Sequence, residues 1–428
     1  MTTAACLVLG IDLGTSGVRV AVINQKQQLI HTASATYPHG LGCPEDWRSC
    51  CSSLIRALPA EIRCQLKAIA VDGTSGTLLA CNQRGEPLAA ALPYNLACPE
   101  QKERLTELVA CGSAAASVSS SLARALRLTE QLGYELLLRH QADWISGWLL
   151  NDWSDAEEGN NLRLGWNLND GNWPDSFSSL PWRGALPQIV ASGRILGSVD
   201  QTQAAALGLP QDLRVVAGTT DANAAVLAAD AGPKDGITVL GSTLVLKRFV
   251  EAPLQGAGIT NHRVGGGWLS GGASNAGCAV LRQLFSDGEL QELSRQINPE
   301  QSSGLKLRPL PAIGERFPID DPSLQPVLEP RPVSDALYLH GLLEGLARIE
   351  AEGWQRLMEL GAPPAERLIT LGGGARNPQW RRIRERLIGL PIASCTTPPA
   401  AGVARLALRA VATANALGQD AKESNHLP

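Results

Sequence analysis

The chain has 428 residues, of which 44 % are apolar and 18 % charged, proportions that exclude a disordered or fibrous protein. At about 150 residues per domain, the length predicts two or three domains. A net charge of −4 supplies no general attraction to nucleic acid, and no apolar run approaches the length of a membrane span.

The N-terminus enters the apolar run Leu7–Gly10 without a basic region, so no signal peptide is expected. Among the ten cysteines there is no C-x-x-C pair, and no histidine stands at finger spacing, so no zinc site is expected. Free thiols in a reducing, cytoplasmic compartment follow.

The first element reads as a hairpin. Leu7–Leu13 and Val18–Ile23 are apolar strands around Gly14-Thr15-Ser16-Gly17, with Asp12 at the end of the first strand. The glycines allow close backbone approach, and successive N–H groups with the Thr15 and Ser16 hydroxyls can form an anion nest. Asp12 suits such a loop if a cation separates it from the anion. An ordinary hairpin turn suits the same residues. Gln28–Tyr37 adds a strand, and Asp46–Leu58 a helix with Trp47 and Leu54 on its apolar face. Leu66–Val71 is a buried strand that ends in Asp72-Gly73-Thr74-Ser75-Gly76-Thr77, an echo of the first tip.

Helical patterns cover Gln101–Cys111, Leu122–Leu138 and Asp143–Asn151, the last with a tryptophan stripe suited to a core. Glu157–Trp173 reads as loop. Trp166, Trp173 and Trp182 either wall a pocket or anchor that loop. Arg214–Gly218 is a strand running into Thr219-Thr220-Asp221, ahead of the helix Ala224–Ala229, so Asp221 stands at a strand-to-helix corner as an N-cap or as a cleft carboxylate.

Ile237–Leu240 and Leu244–Leu246 are strands around Gly241-Ser242-Thr243, a second phosphate-loop candidate. Matching units in the two halves predict two related domains. Pro309–Pro332 reads as a surface connection. Ser334 caps a helix with Leu337, Leu342, Leu346 and Ile349 on its apolar side. The strand Leu368–Leu371 precedes Gly372-Gly373-Gly374-Ala375-Arg376-Asn377, where bare backbone admits a flat ligand. Ala401–Ala416 is a final Ala-rich helix, and the tail after Gly418 is expected to be disordered.

Taken in order, these tips resemble the signature set of the FGGY family of carbohydrate kinases, in the actin-like ATPase superfamily. Asp12–Ser16 resembles the first phosphate motif, Gly218–Asp221 the catalytic-aspartate motif, Gly241–Thr243 the second phosphate motif and Gly372–Asn377 the adenosine motif; Glu344-Gly345 and Asp46-Trp47 also fit. The resemblance covers nearly the whole chain. It implies an α/β fold of two ribonuclease H-like domains with the active site in the cleft between them. These are residues 1–228 on the sugar and catalytic side and 229–400 on the nucleotide side, with a helix at 401–418 packing back on the first.

The resemblance further implies ATP and Mg²⁺. Asp221 would be the base and Asp12 the metal-side carboxylate. Gly14, Thr15 and Ser16 would cradle the γ-phosphate, and Gly241, Ser242 and Thr243 the β-phosphate. Gly372, Gly373, Gly374 and Asn377 would flank the nucleoside, with Trp380 against the base. Asp72, Thr74 and Ser75 would contact an acyclic ketose beside Asp221. The tip Asp72–Thr77 resembles the cyanobacterial and plant ribulose/xylulose kinase branch, which puts D-ribulose first and D-xylulose second. The partners implied are a small sugar and ATP, with no nucleic acid and no membrane.

Some positions depart from the family pattern. Pro93-Tyr94-Asn95-Leu96-Ala97 stands where a Trp-x-Asp-x-Arg substrate element is expected, and Pro399–Ala404 lacks the expected acid. An actin- or chaperone-like ATPase and a silent sugar sensor are the competing readings. The pair Asp12 and Asp221 favours the enzyme.

Overall fold

A computed structural model describes residues 6–424, with side chains as far as Ala416. The chain divides into two compact units. One runs to Ala228 and includes Arg263–Gly266 and the segment from Thr397. The other comprises Ala229–His262 and Gly267–Thr396.

In the first unit the strands are β1 (Leu7–Leu13), β2 (Gly17–Asn24), β3 (Leu29–Thr36), β4 (Leu66–Gly73), β5 (Leu78–Cys81), β6 (Leu137–His140), β7 (Asp155–Glu157), β8 (Gln188–Val190), β9 (Ile195–Ser198) and β10 (Arg214–Thr220). Six of them form one sheet in the order β3-β2-β1-β4-β10-β9. β1, β2 and β3 make an antiparallel meander, and β4 and β10 add in parallel. β1 is buried along its whole length, because helices cover both faces and leave no polar side.

On one face, Leu9 and Ile11 join a core with Trp47 of the helix Pro44–Ala57 and Trp144 of the helix Gln141–Leu150. The two indoles meet edge to face at 5.9 Å. Against the other face lies the terminal helix Pro399–Ser424. Its approach is close: a Cβ on Gly10 would stand 1.8 Å from the Ala400 carbonyl oxygen, and one on Gly402 would stand 1.9 Å from that of Ala224. This explains the small residues at Pro399–Ala404.

The second unit holds β11 (Asp235–Leu240), β12 (Leu244–Val250), β13 (Ile259–Val264) as far as His262, β14 (Gly267–Ser274), β15 (Arg367–Leu371) and β16 (Ile392–Ser394). Their order is β13-β14-β12-β11-β15-β16. The run β14-β12-β11-β15-β16 repeats the meander-plus-parallel order β3-β2-β1-β4-β10 of the first unit. The helices Asp335–Glu359 and Pro378–Ile388 pack together beside this sheet. Between them Arg384 donates to both oxygens of Glu350 at 2.6 and 2.7 Å, with both side chains buried. Thr238 of β11 and Thr370 of β15 complete this buried network.

Several element readings are corrected. The helix expected over Leu122–Leu138 is Ser121–Leu132; it stops at Gly133, whose φ is +84°, and Leu137–His140 is β6. The Glu157–Trp173 stretch contains the helix Glu158–Asn161. Trp166, Trp173, Phe177 and Trp182 form a chain of ring contacts at 5.4–6.0 Å, so they anchor this region. Pro309–Pro332 is not wholly superficial, because Leu310 and Phe317 enter the core. Leu337 is exposed, three positions past the Ser334 cap. The terminal helix spans Pro399–Ser424. Residues 425–428 lie outside the described residues.

Candidate active site

Parallel pairing aligns strand ends, so the residues beyond β1, β4 and β10 share one sheet edge. Asp12 is the register partner of Asp72, and Thr219 pairs with Asp72 from the other side. Asp221 opens the helix Asp221–Ala228 directly after β10. Three carboxyl groups thus converge in the first unit.

Their environments differ. Asp12 is buried and takes a hydrogen bond from Arg19 at 3.2 Å. Burial raises its pKa, and the Arg19 charge offsets part of that rise. Asp72 has no exposed surface, and no N–H group or basic side chain among the described residues satisfies its oxygens. Burial, then the Asp12 and Asp221 charges, push it well above the carboxylate range. Asp221 is half-buried and pushed up to about 6, mainly by burial; N–H groups of Ala222 and Ser75 hold it partly down, and the Asp12 charge adds to the rise. A carboxylate poised near the operating pH is suited to accept a proton.

The loop beyond β1 is closed by the Gly14 N–H donating to the Gly17 carbonyl at 2.9 Å, which leaves Thr15 and Ser16 exposed at its tip. The corresponding loop of the second unit, Gly241-Ser242-Thr243, is closed by Gly241 N–H to the Thr243 carbonyl at 3.1 Å. The carbonyls of Gly241 and Ser242 accept from Cys278 and Ala279, which seats the helix Cys278–Leu284 on the loop. Gly372 has φ +87°, and any Cβ there would meet the Leu240 carbonyl at 2.5 Å. Gly241, Ser242, Gly373, Gly374 and Asn377 line a cavity of about 670 Å³ in the second unit, within the size range of small-molecule sites.

No protein-family model matches the chain. A xylulose kinase from Klebsiella pneumoniae is 26 % identical over 94 % of this chain and 90 % of the relative. The structure of a xylulose kinase from Rhodospirillum rubrum superposes with a TM-score of 0.80 at 20 % identity, covering 94 % of this chain and 89 % of the other. A Plasmodium falciparum glycerol kinase with ADP gives 0.79 at 15 % identity, covering 95 % and 90 %. The chain has the two-domain actin-like ATPase fold of FGGY carbohydrate kinases. The relatives support that family without selecting its ribulokinase branch.

In this chain some anticipated ligand contacts are turned inward. Thr74 is buried; its hydroxyl meets Gln141 Oε1 at 2.8 Å and Thr77 Oγ1 at 2.6 Å, so it braces the loop and presents no group to a sugar. Asp72 backs onto Asp12 and is likewise closed off. Of that trio only Ser75 keeps exposed surface. Trp380 is 2 % exposed, and its ring lies under Gly374, where a Cβ would meet it at 2.7 Å. It forms part of the cavity floor and is no open stacking surface. The Asn377 side chain caps the helix Pro378–Ile388 by accepting from Trp380 N–H, and donates to Ser294.

Sequence reasoning missed other cavity residues: Arg282, Asp287, Gln291, Arg295 and Leu343. Periodicity could have flagged the helix Asp287–Arg295, which opens on a Ser286–Glu289 capping box, but not the cavity it faces. Elsewhere His39, Cys43 and Asp46 bring donor atoms within 4.8 Å of one another. Both Asp46 oxygens already engage His39, through its N–H at 2.6 Å and its Nδ1 at 2.9 Å, so the group fastens a turn to the helix Pro44–Ala57. Among the described residues no helix is long and apolar enough to cross a membrane.

Proposed function

We propose that the chain is an ATP-dependent kinase that transfers the γ-phosphate of ATP to a hydroxyl of a ketopentose. The observation that carries this reading is Asp221, a carboxylate at the end of β10 with a pKa near 6 and with Asp12 on the same sheet edge. Relatives named xylulose kinase and a structural neighbour determined with ADP support it.

In this reading Asp221 accepts the proton of the attacking hydroxyl, a contribution worth about 10²–10⁴-fold. Gly14, Thr15 and Ser16 receive the γ-phosphate and Gly241, Ser242 and Thr243 the β-phosphate, through N–H groups and hydroxyls. Gly372, Gly373, Gly374 and Asn377 border the nucleoside, with Trp380 supporting the floor beneath it. Asp12 offers hard oxygen donors of the kind Mg²⁺ takes. When bound, that ion neutralises charge on the transferring phosphate. Residues 1–228 with the terminal helix form the catalytic and sugar side, and 229–400 the nucleotide side.

The names of the relatives make D-xylulose the first substrate to test. The tip Asp72–Thr77 keeps D-ribulose as the second. Comparing kcat/KM for the two sugars in a coupled ADP-release assay decides between them. A ratio of tenfold or more in favour of D-ribulose would reverse the assignment.

A further inference from the structure

We propose that Arg124 and Arg163 are positioning residues that hold the Ser75–Gly76 peptide against Asp221, and so set the sugar site of the kinase. The proposal rests on the kinase reading above.

The Ser75–Gly76 peptide lies in the glycine-rich tip after β4. Gly76 takes φ +100°, a conformation open to glycine but not to residues with a Cβ, and buried carbonyls in such a turn need donors. Arg124, with no exposed surface, donates from Nε to the Gly76 carbonyl at 3.0 Å, from Nη1 to Leu96 at 2.6 Å and from Nη2 to Ser119 at 3.0 Å. Arg163 reaches the Ser75 carbonyl with Nη1 at 3.5 Å and the Ser119 carbonyl with Nη2 at 2.5 Å. Ser121 Oγ adds a contact to Gly76 at 3.5 Å and is itself held by His140 Nε2 at 3.0 Å.

A planar, forked donor array suits this task, because each guanidinium fixes several acceptors at once. Arg124 spends all three of its nitrogens on main-chain carbonyls from separate segments, and Arg163 likewise donates to two main-chain carbonyls. Leu96 belongs to Pro93–Ala97, the segment that departs from the family pattern, and Tyr94 N–H of that segment donates to Thr77 Oγ1 at 3.2 Å. The segment is thus tied to the same tip directly through Tyr94 and indirectly, by way of Arg124, through Leu96. The functional consequence follows from the N-terminal side of the same residue: the Ser75 N–H faces the Asp221 carboxylate and helps to hold its pKa down. With its carbonyl side restrained by arginines, that N–H orients the base, and the Ser75 side chain keeps its place at the sugar site.

Arg163→Lys and Arg124→Lys test this with steady-state kinetics on the full chain, using D-xylulose, D-ribulose and Mg-ATP. Lysine keeps the charge and loses the fork. The proposal expects kcat/KM for the sugar to fall by up to about 10²-fold, as for a displaced catalytic group, with the KM for ATP within about twofold of wild type. Wild-type sugar kinetics in Arg163→Lys, the half-exposed and more tolerant position, would overturn it. Hydrogen exchange of the Ser75–Thr77 amides is measured on the same variants. Faster exchange there with an unchanged rate in β1 supports the clamp whatever the substrate, and unchanged exchange overturns it. A wild-type chain without sugar-dependent turnover would instead overturn the kinase reading, and the exchange data would still judge the clamp.

Discussion

Asp12 and Asp72 face each other in register at the ends of the neighbouring parallel strands β1 and β4, two buried carboxyl groups with a single arginine, Arg19, beside the pair. Burial, and then the like charge of Asp12, resist ionisation of Asp72, which retains its proton well above the ordinary carboxylate range. The unfolded chain gives up that proton near pH 4. From there upward the folded state binds more protons than the unfolded state, so stability falls as pH rises. Asp72→Asn is neutral throughout and removes this slope. The melting temperature of wild type relative to Asp72→Asn should therefore decline as pH rises above about 4. Parallel curves would contradict a protonated, buried Asp72.

Asp221 makes a different pH prediction. As the base it works ionised, so kcat/KM should drop about tenfold per pH unit below its pKa of about 6. Asp221→Asn should lower kcat by about 10²–10⁴-fold and leave the KM for ATP nearly unchanged. A proportional loss of ATP affinity would assign the residue to nucleotide binding.

Glu350 and Arg384 form a buried pair that ties two helices of the second unit to β11 and β15. Removing one partner strands the other charge. Arg384→Met should cost about 3–5 kcal/mol in denaturant unfolding. A loss below about 1 kcal/mol would mean that solvent reaches the site.

Gly10→Ala should destabilise the first unit by about 1–3 kcal/mol or more, because the added methyl meets the Ala400 carbonyl and the terminal helix must move away. Faster hydrogen exchange in 399–416 than in β3 would show that displacement. An unaltered exchange pattern would not fit the packing.

The fold class was legible because β1 and β11 are apolar runs ended by glycine and hydroxyl residues, and because that unit recurs in each half. The strand-to-helix corner at Asp221 was legible for the same local reason. β6 was not: its leucines extend the helical pattern of Ser121–Leu132, and only the left-handed Gly133 separates the two. Thr74 and Asp72 carry groups that suit a sugar, but Gln141 and Asp12, distant in sequence, turn them inward. Arg124 and Arg163 carry no motif, since what they grip is main chain brought together by folding. Trp380 kept its neighbourhood but not its exposure, because Gly374 leaves room for the ring underneath.

The central claim is phosphoryl transfer to a sugar, and ³¹P NMR of the chain with Mg-ATP and D-xylulose or D-ribulose tests it most directly. The account predicts a sugar phosphate resonance growing in step with ADP, absent without sugar and absent in Asp221→Ala. ADP and inorganic phosphate released at the same rate with or without sugar would contradict it and leave an ATPase.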